Sequence, residues 1–171
     1  EFILDRYNNS TTNNAIINNT SRLIFGRGLG CVDASRKPNE YAAAIALFSK
    51  HTVRNLSKDL KVLGQCAVQI IYSKNRKKIA RVEHIPVHLL RPEKCDDKGE
   101  INGYYFCNDW KDTKKHVPQR IDAFGKSKSD IEILYIKPYS INMKYFALPD
   151  WYGGLKYAQL EEEISNYLLT E

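Results

Sequence analysis

Apolar positions repeat with a helical period at both ends of the chain and with a strand-like period in its middle. Residues 7–20 are rich in Asn, Ser and Thr, yet Ala15, Ile16, Ile17, Thr20, Leu23 and Ile24 fall along one helix. Ser10, Thr11 or Thr12 supplies its N-cap, and Gly26, followed by Gly28 and Gly30, its stop. A phosphate-cradling role for these glycines fails on order, because a phosphate loop opens a helix and this one closes it. Beyond Arg36-Lys37-Pro38, Tyr41, Ala44, Ile45 and Phe48 predict a second helix over residues 39–51. Val53, Leu56, Leu60 and Leu63 predict a third, with Gly64 at the position that favours a left-handed cap.

The period then shortens. Residues 66–72 (CAVQIIY) and 79–85 read as a β-hairpin with a polar, basic tip. Pro86 interrupts the run, so residues 88–91 form a new strand after a bend or continue along a sheet edge. Asp96-Asp97-Lys98-Gly99 is turn chemistry, and Tyr104-Tyr105-Phe106-Cys107 completes a second hairpin. Residues 111–130 have few apolar groups and read as a connecting loop with a short extended piece at 117–121. Residues 131–136 and 143–147 are the last expected strands.

Leu148-Pro149-Asp150-Trp151-Tyr152-Gly153-Gly154 then turns the chain into a final helix over 155–169. Tyr157, Leu160, Ile164, Tyr167 and Leu168 share one side of it; Gln159, Glu162, Glu163 and Asn166 share the other. The expectation is that the apolar side packs on the sheet, that Glu161 to Glu163 are solvated, and that Pro149, Asp150, Gly153 and Gly154 form a junction setting the exit angle. Replacing both glycines should then disturb the protein more than neutralising the three glutamates. Helices, then paired strands, then a helix make this an α+β fold with a mainly antiparallel sheet. A single domain over 1–171 is expected: helical over 7–63, β-rich over 65–148, and helical again over 155–169.

Composition narrows the partners. With 171 residues and 43% hydrophobic content the chain suits one domain, and no run approaches the roughly 18 apolar residues of a membrane span, so no membrane partner is expected. The net charge of +6 is locally concentrated: Lys74, Arg76, Lys77 and Lys78 form one cluster, and Lys111, Lys114 and Lys115 another, with Lys126 and Lys128 following. Both are candidate contacts for nucleic acid or a partner protein. The aromatic residues collect in the second half. There they stack bases or, as the better account, build a core or interface.

Catalytic chemistry finds little purchase. The four cysteines have no C-x-x-C spacing and read as buried or half-buried free thiols without a role; Cys95 and Cys107 flank a turn and are the pair that a hairpin would bring face to face. His84 and His88 are separated by Pro86 and, in extended chain, lie about 13 Å apart, too far to share a metal. No nucleophile elbow, Walker loop or Cys-His signature is present. No enzyme activity, cofactor or metal is expected.

Several stretches, taken in order, resemble tailed-bacteriophage portal proteins, the ring-forming head-tail connectors. They are residues 7–29 (YNNSTTNNAIINNTSRLIFGRGL), the 60–72 passage from helix to strand, Val82-Glu83-His84-Ile85-Pro86-Val87, and Arg91 ahead of Asp97-Lys98-Gly99-Glu100-Ile101 and Asp109-Trp110. The last is Leu148-Pro149-Asp150-Trp151-Tyr152-Gly153-Gly154-Leu155 with Tyr157 and Glu161. The resemblance implies the wing segment of a longer portal chain, monomeric by itself. The full-length subunit would form a homo-oligomeric ring through which DNA is packaged and ejected. It would meet capsid, packaging-motor and tail-adaptor proteins in a virion assembled in the host bacterial cytoplasm. The alternative is a stand-alone basic nucleic-acid-binding domain.

Overall fold

A computed structural model describes residues 1–170. Helices α1 (Phe2–Asn9), α2 (Thr11–Phe25), α3 (Pro38–Leu47) and α4 (Lys50–Leu63) precede strands β1 (Cys66–Tyr72), β2 (Ile79–Ile85), β3 (Leu90–Pro92), β4 (Gly103–Phe106), β5 (Gln119–Ala123) and β6 (Ile131–Ile136). Helix α5 (Leu155–Thr170) follows. The strands form one sheet in the order β2-β1-β6-β5-β4-β3. Every neighbouring pair is antiparallel except β5 and β6. The α+β class expected from the sequence is the class observed.

Alternation along β1 explains the layering. Ala67 faces a core cluster with Ile85, Val87, Leu90, Tyr104, Ala123 and Ile133. Val68, Ile70 and Val82 face the other way, under Leu47, Phe48 and Leu56 from the α3–α4 region. A period of two thus buries apolar groups on both faces of the same strand. Ser10 breaks the first helical run by capping α2, its Oγ accepting from Asn13 N at 3.3 Å. Gly64 ends α4 in the left-handed region at φ 73°.

Three boundaries differ from the sequence reading. The second helix stops at Leu47, and Ser49 caps α4 by accepting from Thr52 N at 3.1 Å, so His51 belongs to the third helix. The short extended piece expected at 117–121 within the 111–130 loop is β5, which starts at Gln119 and is a full member of the sheet, pairing Tyr104 with Ile121 and Ala123 with Ile133. Only Ile121 and Ala123 signal it in a polar sequence. Residues 143–147 are not a strand: Ala147 N donates to Gln65 Oε1 at 2.8 Å, and Met143 N closes a turn on Ser140 O. Side chains and turns satisfy this backbone in place of a ladder.

The junction after residue 147 is docked on the C-terminal end of α4. Trp151 Nε1 donates to the carbonyls of Lys61 and Val62 at 3.0 and 3.1 Å, satisfying helix-end acceptors, and Lys61 Nζ meets Asp150 Oδ2 at 2.6 Å. Pro149 is buried there. The glycine this junction requires is Gly64, where a Cβ would lie 2.4 Å from Leu148 O. Gly153 and Gly154 have nothing within 4 Å of the corresponding position and no positive φ, so the importance expected of them is corrected.

Gly64→Ala is therefore expected to lose on the order of 2–4 kcal/mol from left-handed strain and backbone collision. Gly153→Ala and Gly154→Ala are each expected to stay within about 1 kcal/mol of the parent. Thermal and guanidinium unfolding measure the contrast, at about 2–4 °C of Tm per kcal/mol for a chain of this size.

Candidate functional site

The β1–β2 hairpin tip is held by its own backbone. Ser73 N donates to Lys78 O at 2.9 Å and Arg76 N to Ser73 O at 2.7 Å, with Arg76 at φ 56°. Asn75 Oδ1 accepts from Ser73 Oγ at 2.7 Å and from Lys77 N at 3.1 Å. Lys74, Lys77 and Lys78 point from this turn as exposed side chains. Arg76 behaves differently. Its Nε donates to Ser129 O at 2.9 Å, its Nη2 to Ser127 O at 3.1 Å and to Glu132 Oε1 at 2.8 Å, and its guanidinium lies 4.4 Å from the Tyr72 ring centroid. Arg76 is thus corrected from a candidate contact to an internal clamp.

Its counter-charge, Glu132, is completely buried. Burial alone would favour the neutral acid. Donation from Gly125 N at 3.1 Å and Tyr72 OH at 2.9 Å, the Arg76 charge, and Ser127 Oγ at 3.3 Å outweigh it and hold the carboxyl below its ordinary value. This site was invisible in the sequence, where Glu132 sits inside an otherwise apolar strand.

The second basic cluster is looser. Lys111 Nζ pairs with Glu1 Oε1 at 2.5 Å, which raises the lysine and lowers the glutamate relative to their usual values. Lys114 and Lys115 are exposed on a turn where Asp112 Oδ1 accepts from Lys115 N at 3.1 Å. Among the described residues, no hydrogen bond or ion pair joins this cluster to the hairpin tip. Lys126 and Lys128 are regrouped, because the Arg76 contacts bring their loop to the first cluster rather than the second.

The remaining candidates disperse. His84 Nε2 lies 2.8 Å from Asp59 Oδ2 and tethers β2 to α4, and the described residues contain no group of three or more metal-ligating side chains. Cys95 Sγ accepts from the Tyr145 hydroxyl at 3.2 Å, whereas Cys107 Sγ lies 3.1 Å from Asp109 O and 3.0 Å from His116 O, with its one S–H available to either, so the two do not face each other. Tyr104 and Tyr135 stack at 5.1 Å within the sheet, and Trp110 lies under Arg91. A groove of about 620 Å³ includes Leu63, Val87, Trp110 and Phe146. Three of its polar side chains are engaged: Gln65 with Ala147, Trp110 with Leu89 O, and Arg91 with His88 O and Leu90 O.

Helix α5 reverses the expected orientation. Leu155 and Ala158 are buried, and the docking side continues through Glu161 and Glu162. Glu161 bonds Ser10 Oγ and accepts from Thr12 N at 3.0 Å and Thr12 Oγ1 at 2.7 Å, placing a carboxylate on the N-terminus of α2. Glu162 pairs with Arg6 and accepts from Asn9 Nδ2 at 2.9 Å. The apolar side is outward instead, with Tyr157 77%, Leu160 51%, Ile164 50% and Leu168 66% exposed. The reason is local: the α1–α2 corner supplies polar donors, so carboxylates satisfy it better than apolar groups. No helix among the described residues is long and apolar enough to cross a membrane.

Comparison with known protein families finds no match for this chain, and no curated protein matches it.

Removing the Glu132 carboxylate by Glu132→Ala is expected to destabilise the fold by on the order of 3 kcal/mol, because Arg76 and three neutral donors lose their partner. Its depressed value makes its contribution present above the ordinary carboxylate range and lost as pH falls through the lowered folded value. Glu132→Ala should flatten the acid limb of a stability-versus-pH curve. The hydroxyls of Ser10 and Thr12 lower Glu161 likewise, so amide exchange in α5 should quicken on acidification before the sheet opens.

Proposed function

We propose that this chain is a structural assembly domain, the wing part of a tailed-bacteriophage portal ring through which DNA is packaged and ejected, with no catalytic role. The observation that carries it is α5, whose acidic side is anchored on the protein's own helices while Tyr157, Leu160, Ile164 and Leu168 form an uncovered apolar stripe. A helix fixed in that orientation presents a ready interface, and the reading assigns its occupant as an adjacent copy of the same subunit. The ordered resemblance from Tyr7 to Glu161 supports the same reading. Its partners are then neighbouring portal subunits and, by that resemblance, capsid, packaging-motor and tail-adaptor proteins, in a virion assembled in the host bacterial cytoplasm. The internal stacking of Tyr104 on Tyr135 and the helix capping by Trp151 withdraw three of the aromatic rings from any base-stacking role, which also favours a scaffold over a stand-alone nucleic-acid-binding domain.

The product of the whole open reading frame carrying this sequence should form closed rings by electron microscopy, and the frame should neighbour capsid and packaging genes. Ile164→Asp should abolish rings with Tm changed by no more than a few degrees, since Ile164 is half exposed in the single chain. A purely monomeric product, or rings indifferent to Ile164→Asp, would overturn the assignment of this face.

A further inference from the structure

The β1–β2 turn and the β5–β6 loop are some fifty residues apart in the chain, yet Arg76 makes one body of them through Ser127 O, Ser129 O and Glu132. Tyr72 N adds a bond of 2.9 Å to Asp130 O. Over residues 73–78 and 124–132 the sequence places Lys74, Arg76, Lys77, Lys78, Lys126 and Lys128 against only Asp130 and Glu132. Arg76 and Glu132 neutralise each other internally, and Lys126 pairs with Glu100. Lys74, Lys77, Lys78 and Lys128 remain, exposed and, among the described residues, without an ion pair; the carboxylates beside them are Asp130 and Asp122, which accepts from Ser129 Oγ in the same loop and shares Arg120 with Glu93.

We infer that the clamped β1–β2 turn and β5–β6 loop form one sequence-independent contact surface for the phosphate backbone of double-stranded DNA. Lysine ammonium groups are compact point charges that suit phosphates without selecting bases. The groups that read base edges are withdrawn, since the Arg76 fork is occupied and Asn75 Oδ1 is held within the turn. The four lysines are exposed and line none of the three grooves formed by other residues, so they stand on open surface rather than around a pocket. A partner with regularly repeated charge fits a projecting turn better than one that needs a pocket. The clamp fixes the backbone from which the ammonium groups extend, reducing the ordering cost of binding.

The test is fluorescence-anisotropy titration of a random-sequence duplex of about 20 base pairs over a range of salt concentrations. Four phosphate contacts at about −0.9 each give an expected slope of log K against log salt of about −3 to −4. Lys128→Gln alone should reduce that slope by about one, and replacing Lys74, Lys77, Lys78 and Lys128 together by Gln should bring it near zero with Tm unchanged. Lys114→Gln with Lys115→Gln should leave it as it was. No binding at low salt, a slope insensitive to the four-lysine variant, an equal loss from the Lys114 and Lys115 pair, or tighter binding of poly-glutamate than of duplex would overturn the inference. The assembly reading rests on α5 and survives any of these results, just as loss of rings leaves the salt slope untouched.

Discussion

A carboxylate withdrawn entirely from water must be answered by charge and hydrogen bonds, and Glu132 sets that demand for the middle of this protein. Arg76 answers it from the tip of a hairpin, Tyr72 from the end of β1, and Gly125 and Ser127 from the loop leading into β6. Arg76, Gly125 and Ser127 come from connecting segments, and Tyr72 from a paired strand. The bonds of Arg76 to Ser127 O, Ser129 O and Glu132 join the loop after β5, with Lys128, to the β1–β2 turn. Apolar packing builds the sheet, and this polar knot fixes how its loops are arranged.

A comparable division holds on the helical side. Apolar contacts among Tyr7, Ile17 and Val62 join α1, α2 and α4, and Trp151 closes the end of α4 by capping it. Helix α5 is then oriented by Glu161 and Glu162 rather than by its apolar residues. Directional bonds decide which side of that helix faces in. The uncovered stripe is the consequence, and it gives the protein a face suited to association.

Much of the fold was legible because it depends on local periodicity. The helical spacing ending at Gly64, the alternation of CAVQIIY and the hairpin through Ile79 to Ile85 each declare themselves in a short window. Strand β5 showed only as a short extended piece within a loop, since its place in the sheet comes from long-range pairing of two modest apolar residues, Ile121 and Ala123, with distant strands. Orientation of α5 was misread because periodicity identifies two sides of a helix without saying which donors await them. Clustering along the chain likewise misgrouped the lysines: Lys128 follows Lys111 in sequence but lies in a loop that Arg76 holds to the β1–β2 turn, whereas Lys126 pairs with Glu100. Glu132 gave no signal at all, because nothing in IEILYI shows that four donors converge on one carboxylate.

Contacts between α1 and α5 also carry a kinetic meaning. Arg6 and Glu162 are 156 positions apart, so their pairing closes almost the largest loop the chain allows, whereas β1 and β2 meet across a short turn. Such a closure is favoured only once the intervening sheet has shortened the distance between its ends. Because it consists chiefly of partly exposed polar bonds, it contributes little to holding the sheet together. Helix α5 should therefore be the last element to join in folding and the first to leave, a separable latch on a body that forms without it.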